Sequence, residues 1–101
     1  MNKARIDIEV FTSTVCSNCQ RAGWMVERLL KEPGFENVTW REIDVVEEID
    51  YAVTSGVLAT PSIAIGGELI FSALPSVKQL RNAIQDYLAS ESQWEIRKDE
   101  S

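Results

Sequence analysis

Hydrophobic positions along this chain switch between a period of two and a period of about 3.6. Ile6-Asp7-Ile8-Glu9 alternates apolar and polar, and Val10-Phe11 is continuously apolar. That pattern predicts a strand whose far end enters the core. From about Ser17 to Lys31, the residues Ala22, Met25, Val26, Leu29 and Leu30 fall on one helical stripe. Glu32-Pro33-Gly34 ends this helix, because proline and glycine do not readily continue one. Val38 to Asp44 alternates again and is rich in strand formers. Two strands joined by a helix form a βαβ unit with parallel strands. A short helix is expected from about Glu47 to Ser55, with Ile49, Ala52 and Val53 inward and Gly56 as its C-terminal cap. Ser62 to Ile65 reads as a third strand and Gly66-Gly67 as a tight hairpin turn. Glu68 to Phe71 is then a fourth strand, antiparallel to the third. Pro75-Ser76 opens the last helix, with Ser76 as N-cap. Its expected buried face is Val77, Leu80, Ile84 and Tyr87 or Leu88. The order β-α-β-α-β-β-α is a small α/β layer architecture.

Length and composition narrow this picture. The 101 residues suffice for one domain, placed at 1–89, followed by a polar C-terminal tail at 90–101 that carries Trp94 and Ile96. There is no internal repeat or low-complexity tract. With 45% hydrophobic and 26% charged residues, the chain reads as an ordinary soluble globular protein, and a monomer is expected. A net charge of −6 repels phosphates and argues against nucleic acid as a partner. The strand pattern begins by Ile6, leaving no space for a signal-peptide apolar region, and no run is long enough to span a bilayer. A cytoplasmic protein without a membrane partner is the expectation. Trp24 and Trp40 are expected as partly buried packing residues.

The chemistry is concentrated in Thr14-Val15-Cys16-Ser17-Asn18-Cys19, which holds the only two cysteines. They stand between the first strand and the first helix. The first backbone N–H groups of a helix lack intrahelical partners and carry partial positive charge, which favours a thiolate. The thiolate is the reactive form of cysteine. Two thiols at this spacing also close a disulfide with each other, so the pair reads as a reversible two-electron redox site. Two buried, inert cysteines are the bland alternative, and the helix-start setting opposes it. A zinc site or an iron–sulfur cluster is the sharper alternative. With two thiols and no histidine, either would need a dimer to complete its ligands.

The element order, the Cys16-x-x-Cys19 pair and Ala59-Thr60-Pro61-Ser62 before the third strand together resemble the thioredoxin fold. The stretch from Ala52 to Pro61 is similar to that superfamily's helix end, glycine, valine and loop. The resemblance covers about Ile6 to Ala89 and is nearest to the compact thioredoxin- and glutaredoxin-like proteins of archaea and bacteria. It implies a four-stranded mixed sheet flanked by helices. It also implies a cis Pro61 facing the cysteines, with Thr60 available to pair with an extended substrate. The chain departs from typical thioredoxins at Val15, where tryptophan is usual, and at Ser17-Asn18, where Gly-Pro is usual. Val10 stands where many members hold a buried acid, and Trp40 where a lysine accompanies it. Ser72-Ala73-Leu74-Pro75 replaces the Gly-Gly that glutathione-binding members carry before the last helix.

The resemblance implies a thiol–disulfide oxidoreductase that reduces protein disulfides. Cys16 would attack a substrate disulfide and Cys19 would resolve the mixed disulfide. Thr60, Pro61, Val15, Ser17 and Asn18 would form the substrate-binding rim. No cofactor is needed beyond the Cys16–Cys19 disulfide, and no metal is expected. A flavin-dependent disulfide reductase would recharge the pair. The alternatives are a glutathione-dependent glutaredoxin-like activity, or a non-catalytic dimer holding a metal or iron–sulfur cluster.

Overall fold

The computed structural model describes the backbone of residues 6–100 and side chains from 6 to 90. Its elements are β1 (Ile6–Thr12), α1 (Cys19–Leu29), β2 (Val38–Asp44), α2 (Ile49–Thr54), β3 (Ser62–Ile65), β4 (Glu68–Phe71) and α3 (Val77–Glu100). The expected order is present throughout. The sheet runs β2-β1-β3-β4. β1 is parallel to β2 and antiparallel to β3, and β3 is antiparallel to β4. The sheet is therefore mixed, as expected.

β1 lies inside the sheet with a helix layer on each face. This is why the alternation of Ile6 to Glu9 gives way to a run buried on both sides. Ile8, Val10, Ile63 and Ile65 point to one face and pack with Ala22 and Val26 of α1 and Leu80 and Ile84 of α3. Phe11, Ile43 and Ala64 point to the other and pack with Ala52 of α2. Full burial of each large aliphatic residue contributes about 1.5–3 kcal/mol.

The helix ends follow from local chemistry. Ser76 Oγ accepts a hydrogen bond from Gln79 N at 3.0 Å, and Gln79 Oε1 accepts one from Ser76 N at 2.9 Å. This reciprocal capping box fixes the start of α3. At the end of α2, Val57 N donates to Ala52 O and Gly56 N to Val53 O, both at 3.0 Å, which is a Schellman closure. Gly66 and Gly67 both have positive φ, 60° and 86°, as the tight β3–β4 turn requires.

Four expectations are corrected. α1 begins at Cys19 rather than Ser17, since Ser17-Asn18 forms a turn ahead of it. In α2 only Ala52 is buried; Ile49 and Val53 are exposed, because a six-residue helix reaches the sheet through one turn. Val77, the first residue of α3, is exposed instead of buried. Trp24 is 59% exposed, since its helical stripe lies away from Ala22, Val26 and Leu29, whereas Trp40 is half-buried as expected. The Trp94 side chain lies outside those described.

Candidate active site

β1 delivers the chain to Thr12 at the edge of the core. Ser13 follows, then a turn, and Cys16 N donates to Ser13 O at 3.3 Å. Cys19 is the first residue of α1, and Ala22 N closes the first helical hydrogen bond on Asn18 O at 3.0 Å. Cys16 and Cys19 are joined as a disulfide, with their Cα atoms 5.5 Å apart. Their environments differ. Cys19 is 6% exposed and packed at the helix start, while Cys16 is half-buried at the surface. No side chain caps α1. Its first-turn N–H groups are therefore not consumed by a capping side chain.

The Thr60–Pro61 peptide is cis and Pro61 is buried. This loop is tied to the cysteine loop through Ser13, whose Oγ lies 3.1 Å from Thr60 Oγ1. Ser13 thus holds Cys16 through its backbone and Thr60 through its side chain. Ser62 Oγ donates to Ala59 O at 2.6 Å and tightens the same loop. The structure brings Cys16, Cys19, Thr60 and Pro61 onto these linked loops, with Val15, Ser17 and Asn18 exposed beside Cys16. Val15 is 91% exposed, and Leu58, on the loop leading to Pro61, is 96% exposed.

A groove of about 450 Å³ opens against the disulfide, and Trp40, Gly23, Trp24, Glu27 and Glu42 form much of its wall. Gly23 lets the Trp40 ring approach α1 closely: a Cβ there would lie 3.3 Å from the ring. Thr12, 5% exposed, donates to Glu42 Oε2 at 2.9 Å and holds that carboxylate on the cysteine side of the sheet. Sequence reading missed Ser13, Leu58 and Glu42. Leu58 had a signal, being a large aliphatic residue in a short loop. Glu42 had one also, since it shares the inward parity of Val38 and Trp40. Ser13 had none.

The opposite sheet face carries a separate polar cluster. Buried Glu9 accepts from Tyr51 Oη at 2.7 and 2.8 Å and from Arg41 Nη2 at 2.8 Å. The Glu9 hydrogen bond, reinforced by burial, raises the Tyr51 phenol above its usual range, and the Glu9 hydrogen bond also raises Arg41. This cluster anchors α2 to β1 and is not part of the cysteine groove.

Residues 6–85 match the family described as the thioredoxin domain. The chain belongs to the thioredoxin family. A probable thioredoxin from Methanothermobacter thermautotrophicus is 37% identical over 81 residues, which is 80% of this chain and 94% of that one. A thioredoxin from Methanocaldococcus jannaschii is 34% identical over 86 residues, 84% of this chain and 99% of that one. Among solved structures, Fasciola hepatica thioredoxin has a TM-score of 0.69 at 26% identity, covering 83% of this chain and 82% of its own. Thioredoxin relatives and the Cys16–Cys19 pair at disulfide distance make this chain a thiol–disulfide oxidoreductase. No helix among the described residues is long and apolar enough to cross a membrane.

Proposed function

We propose that this thioredoxin-family chain reduces protein disulfides, with Cys16 attacking and Cys19 resolving. The unequal exposure of the two sulfur-bearing residues carries the reading. Cys16 is the one a substrate can reach, and Cys19 is packed at the helix start. In the reduced protein the Cys16 thiolate attacks one substrate sulfur. A Cys16–substrate bond forms, the substrate S–S bond breaks, and the first substrate thiolate leaves. Cys19, as thiolate, then attacks the Cys16 sulfur. The second substrate thiolate leaves, and two electrons have passed to the substrate as the Cys16–Cys19 bond forms. The Cys19 proton is assigned to Glu42, the carboxylate that Thr12 holds on the groove wall. Glu42 thus takes up the proton-transfer task for which Val10 is unsuited.

The substrate segment docks between Val15-Cys16-Ser17-Asn18 and the Thr60-Pro61 loop. Thr60 backbone pairs with the extended substrate as an added strand. Exposed Val15 and Leu58 give this edge apolar contacts. The cycle needs no bound cofactor, because the electrons reside in the cysteine pair. A flavin-dependent disulfide reductase returns them. Ser72 to Pro75 in place of a Gly-Gly supports this donor over glutathione.

An insulin-type disulfide reduction assay tests the reading, run with wild type and Cys16→Ser and with either a thioredoxin reductase or glutathione as electron source. Turnover by wild type alone, with the reductase, is expected. Equal rates for the two proteins would remove the catalytic assignment, and a preference for glutathione would move the chain to the glutaredoxin-like activity.

A further inference from the structure

A second groove, of about 580 Å³, lies between α1 and the start of α3. Arg21, Trp24, Met25, Arg28, Val77 and Arg81 line it. Trp24 also lines the cysteine groove, so the two grooves share one wall. We propose that this second groove docks an acidic segment of a partner protein that also presents an aromatic or aliphatic side chain. The proposal names the partner class for the site described above and so rests on that reading.

Three observations carry it. The first is the placement of charge. The chain as a whole is at −6, yet Arg21, Arg28 and Arg81 converge on this groove, with Lys31 and Lys78 on the adjoining turn and helix start. Arg41, on the opposite sheet face, is committed to Glu9. The second is that two of the three guanidinium groups are uncommitted. Arg81 is held by Glu32 through two hydrogen bonds, Nε at 3.1 Å and Nη2 at 2.8 Å, which also neutralises the one carboxylate on the groove wall. Arg21 and Arg28 have no ion pair among the described residues. They stand two turns apart on α1 with Trp24 and Met25 between them, so all four share a stripe. The third is exposed apolar surface where the charges meet: Trp24 is 59% and Val77 45% exposed. Tryptophan and arginine are the side chains most enriched among energetically dominant interface residues.

Together these define the ligand. Carboxylates of the partner form forked pairs with Arg21 and Arg28. Its apolar side chain rests on Trp24, Met25 and Val77. Across Trp24, the cysteine groove carries Glu27 and Glu42 instead. A matched partner is therefore acidic beyond Trp24 and free of acid next to its own disulfide. A nucleic acid fits poorly, since its phosphates would meet the acidic remainder of the surface.

The test is direct binding to the oxidised full chain, which requires no turnover. The probes are an Asp/Glu-rich peptide containing Phe and Leu, and its counterpart with every acid replaced by Lys. Each is titrated by NMR while the Trp24 indole and the Arg21 and Arg28 side-chain N–H signals are followed. The acidic peptide is expected to shift these signals. Its affinity should fall on the order of tenfold in Arg21→Glu/Arg28→Glu and weaken with added salt. The milder Arg21→Gln/Arg28→Gln pair should lose part of the affinity, and it covers the case in which charge reversal disturbs α1. Equal binding of the lysine peptide, no binding of the acidic one, or unchanged affinity in both variant pairs would overturn the proposal. A parallel arm measures reduction of a small neutral disulfide by the pre-reduced proteins. Failure of every protein there strikes the reductase reading and not the groove. Equal rates there, with a raised KM for an acid-flanked disulfide in the variants, are expected if both hold.

Discussion

Cys16 and Cys19 have the same chemistry and differ in packing, which is the ground on which we propose separate roles for them. Cys19 opens α1 and is covered by it, and Cys16 sits in the preceding turn, fixed by the Ser13 carbonyl. Ser13 then reaches Thr60, so one serine ties the cysteine loop to the cis-proline loop. Glu42 is the residue whose assignment most needs a measurement. Glu42→Gln keeps an acceptor oxygen for Thr12 and removes the base. The resolving step should slow on the order of 10²-fold while attack by Cys16 is spared. Rapid-mixing measurement of mixed-disulfide decay would separate the two steps, and an unchanged decay would send the proton elsewhere. Tyr51 gives a prediction on stability. Its folded phenol is raised, chiefly by the Glu9 hydrogen bond and then by burial. A raised group contributes stability that is whole below its unfolded pKa and is lost as pH rises through the folded value. Wild type should therefore lose stability as pH climbs above the ordinary phenol range. Tyr51→Phe should be weaker at neutral pH and flatter across that alkaline range, as urea unfolding at a series of pH values would show.

At the scale of elements, much was legible because each pattern reports one physical event. The Val10-Phe11 run marked the passage of β1 into a strand covered on both faces. Gly66-Gly67 marked the β3–β4 turn, and Ser76 the start of α3. What stayed hidden depends on distances between elements. Helical spacing put Ile49 and Val53 on the stripe of Ala52, and no sequence rule says that α2 is too short to bury all three. The large apolar body of Trp24 predicts a partly buried packing residue, yet its stripe on α1 faces outward between two arginines. The Ser13–Thr60 bond spans 47 positions and leaves no local trace. The hairpin offers a test at this scale. Gly66 has φ +60°, and a Cβ there would run into the Tyr87 ring. Gly66→Val should lower stability by about 1–3 kcal/mol, chiefly through left-handed strain at a β-branched residue, with the Tyr87 ring displaced. Thermal unfolding would detect this, and a loss no larger than that of an exposed control substitution would deny the left-handed conformation of the turn.

The whole molecule is a small sheet with its chemistry at one end and a division of charge beside it. β1 carries the chain through the core to the cysteines, and the buried layers on both faces hold that end in place. Trp24 separates a carboxylate-lined groove at the disulfide from an arginine-lined groove between α1 and α3. Under the docking proposed above, such a surface selects partners by the order of charges along them as well as by an accessible disulfide. The central claim is that one sulfur attacks and the other resolves. Mass spectrometry of the covalent adduct formed with a protein disulfide substrate tests it most directly. Cys19→Ser should accumulate a stable mixed disulfide through Cys16, and Cys16→Ser should form none. An adduct through Cys19 in Cys16→Ser, at the rate seen for Cys16 in Cys19→Ser, would contradict the account.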